Sequence, residues 1–258
     1  MENYVKTYQK NGWVIIRNFF KKKKIEKIKK EVTSLIKKKN NFFYYELIKN
    51  KKKLRRIEKI TDHSKSTKKI LCSKEIMSLI NKLEKGKYNL FKDKLNFKLP
   101  NGKGYLPHID GHFLWKDKNN KLQNGWKKYS TNFINLVLPL EKSNIKNGCI
   151  YISNKNNIKK LGKTFSTIAK KTILHTPNIK KEDVKKFNFI PIKLNIGDVF
   201  FFNWKCAHHS TDNLSKNSRM IFYATFCKND KNKNLRNIYY YDKQHSAGTK
   251  KNKALESN

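Results

Sequence analysis

Side chains able to hold a hard divalent metal recur in two stretches of this chain. In YLPHIDGHF (105–113), His108 and Asp110 stand two residues apart. On an extended backbone both therefore leave the same face. An imidazole beside a carboxylate supplies two neighbouring corners of an octahedron, although His-x-Asp alone is common by chance. One hundred residues after His108, in GDVFFFNWKCAHHSTDNLSKNSRMIFYATF (197–226), an apolar strand pattern delivers the adjacent pair His208 and His209. One imidazole of that pair, folded back beside His108 and Asp110, completes two histidines and a carboxylate. Such a facial set leaves three positions open, the arrangement of non-haem iron(II) oxygenases. Arg219 then opens another apolar strand. Its planar fork suits a dicarboxylate co-substrate gripped through two parallel hydrogen bonds.

Elements able to position these groups are legible along the chain. Residues 21–39 and 73–85 place Ile, Leu and Val at helical spacing, predicting two amphipathic helices, the second ended by Gly86. After Gly86 the segments 91–99, 131–140, 148–153, 197–204 and 219–226 are β-branched, aromatic and alternating, as strands are. A helical first part (about 1–90), a strand-rich core (about 91–230) and a tail (about 231–258) predict one domain, with helices packed on an antiparallel sandwich or barrel. The Lys/Asn-rich stretch 154–190 is too long for an ordinary connection, and loops of that length often form lids.

Composition narrows the function classes. The chain has 258 residues and a formal net charge of +41, yet carries 16 Phe, 12 Tyr and 4 Trp, enough apolar anchors for a packed core. Of the 60 basic residues only five are Arg (17, 55, 56, 219 and 236). Proteins that read phosphates or bases lean on Arg, so the Lys excess reads as compositional drift at solvated positions rather than as a specific nucleic-acid surface. It still predicts weak, salt-sensitive polyanion binding. Cys72, Cys149, Cys206 and Cys227 form no Cys-x-x-Cys pair. With no apolar leader and no run of eighteen apolar residues, the chain is expected to be cytoplasmic and without a membrane span.

The segment after His208 resembles the phytanoyl-CoA dioxygenase family of 2-oxoglutarate oxygenases. That family's end motif reads His-x-Ser-x-x-Asn-x-Ser with an Arg eleven residues past the histidine, and His208, Ser210, Asn213, Ser215 and Arg219 match each element. The register assigns the metal position to His208 and the variable one to His209. NGWVIIRNFF (11–20), LRRIEKI (54–60), KLNFKLPNGKGYLPHID (94–110) and NLVLPLEKSNIKNGCIYI (135–152) are similar to other family stretches. One departure follows Cys149, where the family's Pro-Gly-Ser-His is replaced by YISNKNN.

The resemblance implies a mainly β fold with helices, a double-stranded β-helix (jelly roll, cupin-like) core covered by N-terminal helices. It implies Fe(II) on His108, Asp110 and His208, with 2-oxoglutarate as co-substrate, and O2 and a small-molecule substrate as further partners. By analogy Ser210, and Lys98 or Asn96, reach the co-substrate carboxylate beside Arg219, while His112 and Trp115 line the substrate pocket. His63, His175 and His245 are read as ordinary histidines. The expected reaction is hydroxylation of a C–H bond of an anionic small molecule, with release of succinate and CO2. Iron halogenases lack the carboxylate that Asp110 supplies. Two rival readings use the basic surface: a nucleic-acid dealkylase, and a nucleic-acid-binding protein on an inert oxygenase-like scaffold.

Overall fold

Alternation of apolar and polar residues builds two packed antiparallel sheets and a third of two strands. The computed structural model describes residues 2–36, 42–161, 178–229 and 233–246. Its strands are β1 (Trp13–Ile16), β2 (Phe43–Ile48), β3 (Lys51–Glu58), β4 (Tyr88–Lys98), β5 (Tyr105–His108), β6 (Leu114–Lys116), β7 (Leu122–Asn124), β8 (Phe133–Pro139), β9 (Ile150–Ile152), β10 (Ile190–Ile192), β11 (Val199–Asn203), β12 (His208–Ser210) and β13 (Arg219–Lys228). Its helices are α1 (Glu2–Asn11), α2 (Lys22–Leu35), α3 (Ile60–His63), α4 (Lys65–Leu71), α5 (Lys74–Glu84), α6 (Lys181–Val184) and α7 (Leu235–His245). The larger sheet runs β1-β11-β8-β13-β4-β3-β2 and the smaller β10-β9-β12-β5.

One face of the larger sheet presents Leu95, Leu136, Leu138, Phe201 and Phe222 to Ile25, Val32, Ile76, Ile80 and Leu83 of the helices. Each such aliphatic side chain taken from water contributes about 1.5–3 kcal/mol. This explains why α2 and α5 form: their Ile and Leu stripes have a wall to cover. Ser73 caps α5 by accepting from the Ile76 amide at 3.4 Å, and Gly86 at φ +129° lets the chain leave as expected.

The opposite face divides. Over β1, β11 and β8 it is apolar, with Val137, Phe200 and Phe202 packed on Ile150 and Ile152 of the smaller sheet. Along β4 it turns polar: Lys92, Lys94, Asn96 and Lys98 stand in register with Thr225, Tyr223, Ile221 and Arg219 of β13. That polar half is the interior wall of the site.

Two parts of the sequence reading are corrected. The first 90 residues also hold β1, β2 and β3. The Lys-rich β3 hides its strand pattern behind solvated lysines, but Lys49 and Asn50, both at positive φ, form the tight turn that pairs it with β2. The segment from 231 on, expected as a tail, carries α7. Arg236 ties this helix to Asp93 at 2.5 Å and Asp62 at 2.9 Å, and Tyr239 and Tyr240 enter an aromatic cluster with Phe91, Trp126 and Phe133. The lid expected within 154–190 falls largely on residues 162–177, which lie outside the described residues, as does His175. No helix among the described residues is long and apolar enough to cross a membrane.

Candidate metal centre

Antiparallel pairing of β5 with β12 places His108 directly opposite His208, with ring centroids 4.2 Å apart. Asp110 lies just past the end of β5, in a turn that needs Gly111: its φ is +69°, and a Cβ there would come within 2.6 Å of Trp126. Ile109 between the two points the other way, into a cluster with Ile179 and Phe187, so the alternation expected of a strand persists past its last hydrogen bond. One ligand atom from each of His108, Asp110 and His208 lies within 4.8 Å of the other two.

Neighbouring groups aim these ligands. His108 Nδ1 is 2.7 Å from the Leu106 carbonyl and His208 Nδ1 is 3.1 Å from the Cys206 carbonyl. A proton on each Nδ1 satisfies those carbonyls and leaves both Nε2 lone pairs facing the shared space. Asn135 Nδ2 donates to Asp110 Oδ2 at 3.0 Å, and Asn135 Oδ1 accepts from Thr225 Oγ1 at 2.6 Å, which fixes the orientation of the amide. His209 is turned away, stacked on Tyr151 at 4.8 Å with Phe189 edge-on at 4.7 Å.

Burial pushes the His108 imidazole down to about 3, with His208 adding to the effect, and burial also lowers His208. For Asp110 burial acts upward, but Lys92, then the two histidines and Lys94, outweigh it and hold the carboxyl at about 2. All three groups therefore sit in the protonation states a metal requires. At His108 a proton competes with metal only near pH 3, against about 6.5 for a solvated imidazole. Divalent-metal affinity is accordingly expected to stay flat between about pH 6 and 8. A titration showing a rise of about tenfold per pH unit below 7 would contradict this electrostatic picture.

At the far end of the same wall Arg219 and Lys98 are register partners on β13 and β4. Both donate to the Gly148 carbonyl, Arg219 Nη1 at 2.7 Å and Lys98 Nζ at 3.2 Å. Lys98 Nζ also donates to Ser210 Oγ at 2.8 Å and to the Thr211 carbonyl at 2.6 Å. Gly148 has φ +72°, and a Cβ there would meet the Thr211 oxygen at 2.3 Å, so glycine alone brings that carbonyl to the two cations. Burial pushes Lys98 down to about 6, helped by Arg219 and Arg55. Arg219 is 2 % exposed, and its Nε lacks a partner among the described residues. Ser210 Oγ accepts from Lys98 and from the Tyr105 amide at 3.1 Å, which leaves its own proton to donate. A buried guanidinium N–H without an acceptor and a hydroxyl with a spare proton fit a carboxylate. Two imidazoles and a carboxylate fit a ferrous ion.

The remaining sequence-predicted residues fall as follows. Asn96 is buried on the same face of β4, its side-chain oxygen without a partner among the described residues. His112 Nδ1 is 3.1 Å from the Asp110 carbonyl, and its ring lies on Trp204 at 4.5 Å. Trp115 is buried inside the aromatic cluster with its indole N–H on the Gly125 carbonyl at 3.2 Å. Asn135, Thr225 and the Gly148 carbonyl were missed from the sequence. The available signal was Asn135 itself, a polar residue inside the wholly buried apolar run FINLVLP.

Replacing Asn135 with Leu removes the donor that orients Asp110. It is expected to weaken divalent-metal binding by about 10–100-fold, the range for residues that aim a ligand. Chelator competition measures this, with circular dichroism to confirm folding. Unaltered affinity would leave Asn135 a packing residue.

Fold and ligand set together define an oxygenase scaffold of the non-haem iron, 2-oxoglutarate type. The chain belongs to the phytanoyl-CoA dioxygenase family, whose sequence model matches residues 8–221. It is 28% identical over 173 residues to a 2-aminoethylphosphonate dioxygenase from Uncultured bacterium HF130_AEPn_1, covering 66% of this chain and 58% of that protein. It is 24% identical over 163 residues to a methylphosphonate hydroxylase from Gimesia maris, covering 61% and 52%. The chain thus spans between half and two-thirds of the length of these relatives. Among solved structures, the non-heme alpha ketoglutarate dependent carbocyclase SnoK from nogalamycin biosynthesis superposes with a TM-score of 0.70 at 13% identity, covering 88% of this chain and 84% of that one. EctD from S. alaskensis with 2-oxoglutarate and 5-hydroxyectoine gives 0.67 at 12% identity, covering 88% and 76%. The shared architecture is the jelly roll.

Proposed function

We propose that this protein is a dioxygenase that hydroxylates a C–H bond of a small anionic molecule, using Fe(II) and 2-oxoglutarate and releasing succinate and CO2. The observation that carries this reading is the pairing of the His108–Asp110–His208 set, on and just past β5 and β12, with the buried Arg219–Ser210–Lys98 cradle that ties β12 to β4 and β13. When bound, iron and 2-oxoglutarate supply the oxidising chemistry. The chain's own residues orient and shield. Arg219 and the Ser210 hydroxyl hold the far carboxylate of the co-substrate. Asn135 keeps Asp110 facing the metal, and the aromatic cluster of Phe91, Trp126, Phe133 and Trp204 excludes water from one side. Two relatives named for phosphonates support an anionic substrate for this chain as well. The four cysteines, all free, suit a reducing cytoplasm.

Incubation with Fe(II), labelled dioxygen, 2-oxoglutarate and a panel of small phosphonates and carboxylates tests the reading. One labelled oxygen is expected in succinate and one in a hydroxylated product. Succinate release no greater than that of His108→Ala would reject it. Asp110 would take the position a halide needs, so the product is expected to be the same in chloride or bromide; a brominated product would show the reaction to be misassigned.

A further inference from the structure

The interior wall carries a second cationic zone that the co-substrate cannot use. Lys92 and Lys98 lie six residues apart on the same face of β4, about 20 Å between α-carbons at the usual strand rise. A five-carbon diacid gripped at Arg219 spans only about 6–7 Å at C–C bonds of about 1.5 Å. Lys92 belongs to the other end of the wall, in register with Thr225, which in turn is in register with the Asn135 that holds Asp110. Lys92 is thus on the metal's side remote from Arg219.

The Lys92 ammonium has no hydrogen bond or ion pair among the described residues. Its contact is with the ring face of Trp126, 4.0 Å from the centroid. Trp126 in turn packs against the Gly111 turn that follows Asp110. Lys94, next on the same face, lies 5.6 Å from the Tyr105 ring centroid and 5.5 Å from that of Tyr223. Among the described residues, the other acid that acts on Lys92 besides Asp110 is Glu58, already engaged by Lys243 at 2.6 Å and by Arg56 at 3.2 Å.

Charge balance then identifies what is missing. Ferrous iron, Asp110, a 2-oxoglutarate dianion and Arg219 together sum to neutral. Lys92, Lys94 and Lys98 lie outside that sum; Lys98 is held by Ser210 and two carbonyls, whereas Lys92 stands in a partly buried, aromatic-lined place, where an uncompensated charge is costly. Burial, the largest influence, pushes this ammonium down to about 7, and Asp110 only partly opposes it. A ligand anion at this point restores the balance. Two lysine ammoniums, each a rotatable point charge with three donors, can share the several equivalent oxygens of a tetrahedral oxyanion, and Lys binds phosphate groups in this way.

We propose that Lys92, seated on Trp126 and backed by Lys94, is the subsite for the substrate's anionic head, and that this head is a tetrahedral oxyanion of the phosphonate type. The proposal rests on the reading of the chain as an oxygenase, and names the part of the substrate that the protein recognises. With its head there, the rest of a small substrate is led back toward the three ligands, which places a carbon near the open metal positions.

The test loads the protein with Mn(II) and 2-oxoglutarate and follows methylphosphonate by its 31P relaxation. Paramagnetic enhancement falls with the sixth power of distance, so methylphosphonate held by outer lysines contributes little. His108→Ala gives the background from free Mn(II). Enhancement well above that background is expected for the unaltered protein. Lys92→Met should raise the methylphosphonate Kd by about tenfold, the scale of one charge-assisted contact. Lys92→Arg should retain most of the binding, and Lys142→Met, outside the barrel, should leave it unchanged. Calorimetry of 2-oxoglutarate on the same samples separates the two levels of the argument. Absence of 2-oxoglutarate binding would sink the oxygenase reading itself. Normal 2-oxoglutarate binding with no 31P enhancement, or with enhancement indifferent to Lys92→Met, would sink the subsite alone.

Discussion

His208→Ala abolishes stoichiometric Fe(II) binding, and His209→Ala retains it: this is the expected outcome for two neighbouring histidines of opposite orientation. His208 is paired across the sheet with His108 and presents Nε2 4.0 Å from Asp110 Oδ2. His209, one residue on, leaves the opposite face and is held between Tyr151 and Phe189. With three protein ligands, loss of one is expected to cost more than the 10–100-fold typical of residues that merely aim a ligand. Iron stoichiometry after anaerobic loading, with circular dichroism to confirm the fold, measures it. Iron retained by His208→Ala and lost by His209→Ala would reverse the assignment.

Arg219→Lys is expected to weaken 2-oxoglutarate binding by roughly 1–3 kcal/mol, about a 5- to 150-fold rise in Kd, because charge is kept while the fork is lost. Arg219 already spends Nη1 on the Gly148 carbonyl, so a single ammonium in its place must serve either that carbonyl or the co-substrate. Lys98→Met should have a smaller effect on Kd, because Lys98 reaches the co-substrate chiefly through the Ser210 hydroxyl it donates to. Calorimetry on Mn(II)-loaded protein reads both variants. A Kd unchanged in Arg219→Lys would remove Arg219 from the co-substrate site.

What was legible in the sequence followed physical periodicity. The two amphipathic helices and the strands on either side of the site carry clean apolar spacing, and the structure places them within a few residues of expectation. β3 was hidden because its first three residues are solvated lysines, and α7 because its tyrosines are interleaved with charges that pair inward. The Asn135 relay was invisible for another reason: its meaning depends on which residue lies across the barrel, and spacing along one strand does not encode that. The arginines were the better guide. Arg17 bonds Asp198 and the Lys193 carbonyl, Arg55 bonds Glu46, Arg56 pairs with Glu58, and Arg236 bonds Asp93 and Asp62. With Arg219 on Gly148, every arginine of this lysine-rich chain has a polar partner inside the fold.

The direct pairing of His108 with His208 also has an expected consequence for folding. Ligands one hundred residues apart meet only when β12 closes onto β5, a non-local contact whose loop-closure entropy must be met before any pairing rewards it. A nascent chain that has exposed YLPHIDGHF offers iron at most two ligands, with no Asn135–Thr225 relay yet assembled to aim Asp110. Metal is therefore expected to be of little use as a template for early folding. Iron bound at the proposed set is expected to enter a cage that the polypeptide has already built, which would make loading a late step.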